Sequence, residues 1–280
     1  MTSKTLYISD MDGTLLSTDS RISARSSQII TSLSRRGVAV TVATARTPAT
    51  VVPLLAGTTT IVPAVVMTGC AFWDRRDGHF TDTNLIPRHD VAATLELCRR
   101  CGVHPFVYVM AEDGRTLDVY HACASLNKAE QSFYEERMHL SLKRFHLGTP
   151  APARALEHSM LFYAMGPSDS ILHAAAALRD NTECEVCCYP DIFNPEIQNL
   201  EIFPPGVSKA AAVLRLKERT GADRLMVFGD NLNDIPMFEV ADVAVAVGNA
   251  LPEVKAAADV VIEPNYTDSV ARYIAADAGY

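Results

Sequence analysis

The N-terminal third of the chain alternates apolar runs with amphipathic ones. The run "LYIS" stops at Asp10. From about Ala24 to Arg36 the apolar positions recur at helical spacing, with Ile29, Ile30 and Leu33 on one face. Ser23 is placed to cap that helix and Gly37 to close it. "VAVTVAT" is a β-branched strand ending at Thr44, a second helix is expected from Pro48, and "AVVMTG" reads as a third strand. The C-terminal third repeats the alternation. "LEIF" is a short strand, and a helix from about Ser208 to Arg219 is closed by Gly221. "RLMVFGD" is a fully apolar strand ending at Asp230. A helix ("DIPMFEVA"), a strand ("VAVAV"), a helix around "EVKAAA" and a short strand ("VVI") follow. Continuous apolar strands separated by helices predict a parallel sheet covered on both faces.

The middle of the chain has a different rhythm. A helix ("VAATLELCRRC") leads to the paired strands "PFVYVM" and "TLDVY", joined by the turn "AEDGR". A helix ("AEQSFYEERM"), a strand ("HSMLFYAM"), a helix ("SILHAAAALRD") and a strand ("ECEVCCY") complete it. This α+β pattern interrupts the α/β pattern. The expected organisation is a discontinuous core, residues 1–84 and 199–280, with an insertion at 85–198.

Composition narrows the function classes. The chain has 280 residues, 48% apolar and 21% charged, as in an ordinary globular protein. With 33 acidic against 25 basic residues and no basic run, it is expected to bind no nucleic acid. Carboxylates precede any long apolar stretch at the start, unlike a secretory signal. Thr47 to Trp73 carries no charged side chain, but its prolines, Gly57 and threonine run favour a short helix, a turn and a buried strand over a membrane span. Seven cysteines in such a chain point to a reducing, cytoplasmic setting. Cys98/Cys101 and Cys184/Cys187 have C-x-x-C spacing, but the pairs lie about eighty residues apart and "ECEVCCY" sends 184 and 187 to opposite faces, so buried thiols are expected rather than a zinc site.

The candidate chemistry lies where the apolar strands end. Asp10 and Asp12 follow one strand, Thr44 a second and Asp230 a third. In an open parallel sheet ligands bind outside the carboxyl ends of the strands, so these groups can converge although Asp10 and Asp230 are far apart in the chain. A calcium loop counted from Asp10 needs Gly at its sixth position and Glu at its twelfth; Leu15 and Arg21 stand there. Glycosidase carboxylates face each other across a sugar rather than sitting two residues apart. Asp-x-Asp-Gly alone also reads as an ordinary acidic turn; taken together with Thr44 and Asp230 at the other strand ends, metal-assisted phosphoryl transfer is the remaining chemical reading. Alternate residues leaving a strand point the same way, so Asp10 can face phosphorus and a metal while Asp12 moves a proton. Gly13-Thr14 permit a sharp turn.

"DMDGTLL", "ATAR", "GVSKA" and "GDNLNDIPM" resemble the four ordered motifs of the haloacid dehalogenase superfamily of phosphohydrolases, and "VGNALPEVKAAAD" is similar to its Cof-type subfamily, which carries a type IIB α+β cap. The resemblance implies an α/β fold, a Rossmann-like parallel-sheet core with helices on both faces plus an inserted α+β cap domain. It implies Asp10 as the nucleophile of an aspartyl-phosphate intermediate and Asp12 as general acid/base. Mg²⁺ would be held by Asp10, the Asp12 main-chain carbonyl and Asp230, with Asp234 holding a metal water or orienting the lysine. Thr44, the Ala45 backbone, Lys209 and Asn233 would meet the phosphoryl group. Lys209 opens its helix, where backbone N–H groups also favour anions. The second motif reads Thr44-Ala45-Arg46 where relatives commonly have Thr-Gly-Arg; Arg46 either reaches the leaving group or forms a surface ion pair.

The function this implies is Mg²⁺-dependent hydrolysis of small phosphorylated metabolites, sugar phosphates or similar phosphomonoesters, by a cytoplasmic enzyme with no membrane partner. Two other readings are open: a sugar phosphomutase, and a non-catalytic phosphate-binding or regulatory protein on the same scaffold.

Overall fold

The structure, a computed structural model, describes residues 4–191 and 194–280. It divides into two compact units: the first runs to Thr81 and resumes at Ser208, and the second is Asp82–Val207. The junctions expected at 84/85 and 198/199 thus fall at Thr81/Asp82 and Val207/Ser208.

The first unit opens with β1 (Thr5–Ser9), α1 (Ala24–Arg35), β2 (Ala39–Val42), α2 (Pro48–Leu54), β3 (Ala64–Val66), β4 (Ala71–Asp74) and β5 (His79–Thr81). The Ser23 hydroxyl caps α1 by accepting from the Ser26 N–H, as the sequence predicts. "AVVMTG" does not run on as one strand. Met67 and Thr68 take positive φ, which ends β3 at Val66. β3 pairs with β4, and β4 with β5, in a three-stranded antiparallel sheet, while a single bridge from Ala43 to Val65 ties β3 to β2. The β4–β5 hairpin escaped the sequence reading.

The second unit follows with α3 (Arg88–Arg100), β6 (Phe106–Met110), β7 (Leu117–His121), α4 (Lys128–Arg137), β8 (Lys143–Leu147), α5 (Ala153–Leu156), β9 (Ser159–Pro167), α6 (Ser168–Asn181), β10 (Glu185–Pro190) and β11 (Ile197–Phe203). Its six-stranded sheet has the order β10-β11-β9-β6-β7-β8, antiparallel except for β7–β8. "LEIF", expected in the parallel sheet, is the end of β11 and belongs here. Its alternation is the reason: Leu200 and Ile202 enter the hydrophobic cluster, and Glu201 between them faces the other way. That cluster joins Val107, Val109, Phe162 and Ala164 of the sheet to Val91 and Cys98 of α3 and to Ile171, Ala174 and Leu178 of α6. Cys98 and Cys184 pack there as small apolar groups, while Cys187 is exposed. The opposite face receives α4, whose Phe133 ring meets Phe106 at 5.2 Å and Tyr163 at 4.9 Å.

The first unit then resumes with α7 (Lys209–Thr220), β12 (Arg224–Gly229), α8 (Ile235–Val240), β13 (Val243–Ala246), α9 (Pro252–Ala257), β14 (Val260–Val261) and α10 (Ser269–Asp277). The sheet order is β14-β13-β12-β1-β2, with every pairing parallel. Helix α10, not anticipated, buries Val270, Ala271 and Ile274. Among the described residues, no helix is long and apolar enough to cross a membrane.

One buried polar group in the second unit has a pH consequence. His121 is 1% exposed. Its Nδ1 lies 2.8 Å from the Cys123 carbonyl and its Nε2 3.0 Å from the His104 carbonyl, with a Glu130 carboxylate oxygen 3.7 Å from Nε2. Carbonyls only accept, so these two contacts are both met only by the imidazolium, and they favour that form. Burial alone would lower its pKa; the Glu130 carboxylate and the two carbonyls outweigh that and raise it above 6.5. A group with a raised folded pKa stabilises fully below its unfolded pKa, and that contribution is lost as pH climbs through the folded value. Denaturant midpoints measured from pH 6 to 9 are therefore expected to fall with rising pH, and the fall should flatten in His121→Gln. A parent slope matching the variant's would refute the imidazolium.

Candidate active site

The parallel register places the sequence-predicted groups side by side. Ser9 is opposite Phe228 on one flank and Val42 on the other, so Asp10, Asp230 and Thr44 leave three adjacent strands at the same edge. The Asp10 N–H donates to the Phe228 carbonyl at 2.9 Å. Beyond it the chain coils rather than continuing extended. Met11, between the two aspartates, is fully buried, and Leu15 and Leu16 are buried with it. Asp10 is 8% exposed, whereas Asp12 is half-exposed and held by Arg46 in a bidentate pair at 2.6 and 2.8 Å. The strand itself ends at Ser9, so the coil beyond it, and not a continuing strand, positions the two carboxylates.

Lys209 is the hub. It is the first residue of α7, and the Ser208 side chain caps that helix by accepting from the Ala211 N–H. Its ammonium, 4% exposed, donates to Asp10 Oδ1 at 2.7 Å and to Asp234 Oδ1 at 2.9 Å. Asp234, fully buried, accepts from the Asp230 and Asn231 N–H groups through Oδ2 at 3.1 and 3.2 Å. Asp230 accepts the Thr14 hydroxyl at 2.6 Å. Burial disfavours the Lys209 ammonium, but Asp10 and Asp234 outweigh it and raise its pKa. Burial pushes Asp10 upward against the charge of Lys209, and burial likewise raises Asp230.

Carboxylate oxygens of Asp10, Asp230 and Asp234 all lie within 4.8 Å of one another. Three formal negative charges share one ammonium, in an all-oxygen donor set. That chemistry fits a hard divalent cation such as Mg²⁺.

The other predicted residues are placed less centrally. The buried Thr44 hydroxyl accepts the Arg46 N–H at 3.2 Å. Ala45 is exposed beside it, and Asn233 is exposed on the short turn before α8. Sequence reasoning missed the braces of the 10–16 loop. Asn249 Nδ2 donates to the Gly13 carbonyl at 2.7 Å, and Asn265 Nδ2 donates to the Leu16 carbonyl at 2.7 Å. Asn265 N–H in turn donates to Asn249 Oδ1 at 2.9 Å. Asn249 lay within the quoted "VGNALPEVKAAAD", but an asparagine that holds a distant loop looks like any turn asparagine.

Two of the glycines required by crowding lie against the acidic cluster. Gly13 has φ +74° and a Cβ there would sit 2.3 Å from Asp230 Oδ2; a Cβ on Gly229 would meet Asp234 Cβ at 2.6 Å.

The family model for haloacid dehalogenase-like hydrolases matches residues 7–274. The chain belongs to that family. As a haloacid dehalogenase-like hydrolase it is a hydrolase of phosphate esters. It is 27% identical over 269 residues to a 5-amino-6-(5-phospho-D-ribitylamino)uracil phosphatase of Bacillus subtilis, covering 95% of this chain and 92% of that one. It is 24% identical over 278 residues to a pyridoxal phosphate phosphatase of Escherichia coli, covering 98% of each. In fold it is similar to a haloacid dehalogenase-like hydrolase from Bacteroides thetaiotaomicron, with a TM-score of 0.76 at 22% identity over 98% of this chain and 99% of that one. A subclass IIB sugar phosphatase of the family shares the fold at a TM-score of 0.70 and 22% identity, covering 99% of both chains.

Gly13→Ala should displace Asp230 or the 10–16 loop by about 1 Å and lower kcat/KM on a generic phosphomonoester by about 10²-fold. Circular dichroism should show an intact fold. Activity within a factor of two of the parent would mean the Gly13–Asp230 approach is not required.

Proposed function

We propose that this chain hydrolyses phosphomonoesters of small metabolites with Mg²⁺, through an aspartyl-phosphate on Asp10. The observation that carries the reading is the Lys209 ammonium bridging Asp10 and Asp234 beside Asp230, at the strand ends. The full-length relatives, named for a ribitylaminouracil phosphate and for pyridoxal phosphate, support small phosphomonoesters as the substrate class; sugar phosphates fall within it.

Asp10 and Asp230, with the Asp12 main-chain carbonyl, would hold the metal, and Asp234 would orient Lys209. Bound Mg²⁺ supplies positive charge opposite the phosphoryl oxygens. In the first half-reaction a carboxylate oxygen of Asp10 forms a bond to phosphorus as the ester P–O bond breaks, and Asp12 gives its proton to the departing oxygen. In the second, water attacks the same phosphorus, Asp12 takes the water proton, and phosphate leaves Asp10. Charge on the transferring group is met by Lys209, the Thr44 hydroxyl, the Ala45 N–H and Asn233. The Arg46 pair requires Asp12 as a carboxylate, which suits the second half-reaction. For the first, Arg46 must release Asp12. In this reading Arg46 is a positioning group as well as a candidate contact for the leaving group.

Asp10→Asn should lower turnover of a generic phosphomonoester by roughly three orders of magnitude or more. Turnover near the parent's would sink the nucleophile assignment. Products discriminate further: free phosphate is expected from a sugar phosphate, whereas an isomerised sugar phosphate would establish a phosphomutase. No turnover across a broad Mg²⁺-supplemented metabolite panel would establish a binding protein.

A further inference from the structure

The second unit contains a charged cluster that the phosphatase chemistry does not use. Asp90 is the third residue of α3, a helix that starts at Pro87 with no side-chain cap. Its side chain is 3% exposed. Oδ1 accepts the Glu183 N–H at a long 3.4 Å, and Oδ2, also buried, accepts no hydrogen bond among the described residues. A buried carboxylate oxygen without a donor is costly, and native structures rarely leave one so.

The groups that approach this oxygen identify what it is suited to hold. His89 Nε2 lies 3.6 Å away, too far for a hydrogen bond. The Glu183 carboxylate, from the loop between α6 and β10, joins them, and the ligating atoms of His89, Asp90 and Glu183 all lie within 4.8 Å of one another. A second carboxylate beside an undonated one is repulsive unless a cation lies between them. One imidazole nitrogen with two carboxylate oxygens is a zinc-type donor set, leaving a fourth position for water. Zinc bonds of about 2.0–2.1 Å in a tetrahedron set two ligand atoms roughly 3.4 Å apart. The 3.6 Å between His89 and Asp90 is close to that spacing.

We propose that His89, Asp90 and Glu183 form a divalent transition-metal site of the zinc class. It differs in chemistry from the all-oxygen set at Asp10, Asp230 and Asp234, and it does not rest on the phosphatase reading. The two ends of the cluster lie on different segments, so a bound ion would tie the start of α3 to the turn that ends α6. That tie stabilises the second unit by mass action.

The test uses the full chain, stripped with a chelator and titrated with Zn²⁺ by calorimetry in excess Mg²⁺. One equivalent is expected to bind. Affinity should fall at least about tenfold in His89→Ala and in Glu183→Ala, and stay unchanged in Asp230→Asn. His89 and Glu183 are exposed, so these variants keep the fold. Absence of Zn²⁺ binding, or binding indifferent to both substitutions, would overturn the proposal and leave His89–Asp90 as a simple ion pair. Loss of binding in Asp230→Asn with retention in His89→Ala would overturn it too, by assigning the ion to the all-oxygen set.

Discussion

Everything at the strand ends depends on one ammonium. Lys209 Nζ donates to Asp10 and to Asp234 with almost no solvent around it. In that setting an ion pair persists only when its remaining valences are filled. Asp234 meets the condition with two backbone N–H groups, and the neighbouring Asp230 accepts the Thr14 hydroxyl. Removal of either partner would leave a buried charge uncompensated. The surplus of carboxylate over ammonium leaves the cluster receptive to a divalent cation, and that surplus links structure to chemistry.

The ammonium could not serve this role on a mobile loop. Its helix is capped by Ser208, and the 10–16 segment is held at several points. Met11, Leu15 and Leu16 anchor it in the core, while Asn249 and Asn265 hold its carbonyls. The lack of a Cβ at Gly13 and Gly229 lets the Asp230 and Asp234 carboxylates come close. Together these give a preorganised site on rigid strand ends, where donors need not rearrange during reaction. Asp12 stands apart from this rigidity. It is half-exposed and held from the side by Arg46.

The second unit meets its polar requirements differently. Its sheet buries one face under α3 and α6, and its internal ion is His121, held as a donor between two carbonyls. Asp90, at the start of α3, lacks an equivalent donor on one oxygen. One buried polar group is thus satisfied by the chain and the other is not.

Periodicity determined the elements of the parallel sheet, because strands buried on both faces leave unbroken apolar runs such as "RLMVFGD". It also located Asp10, Thr44 and Asp230, since a polar group that stops such a run marks the sheet edge, where these three now stand side by side. Short elements were not legible. "LEIF" carries too few residues to say which sheet it joins, and β8 and the β4–β5 hairpin carry charges that mask their strand character. Only the tertiary structure decided that Asp10 is buried while Asp12 is half-exposed, that Arg46 grips Asp12, and that Asn249 and Asn265 brace the loop. Those are contacts between groups far apart in the chain or across a turn. Local pattern records which residues want burial, but not which distant partner satisfies each polar atom.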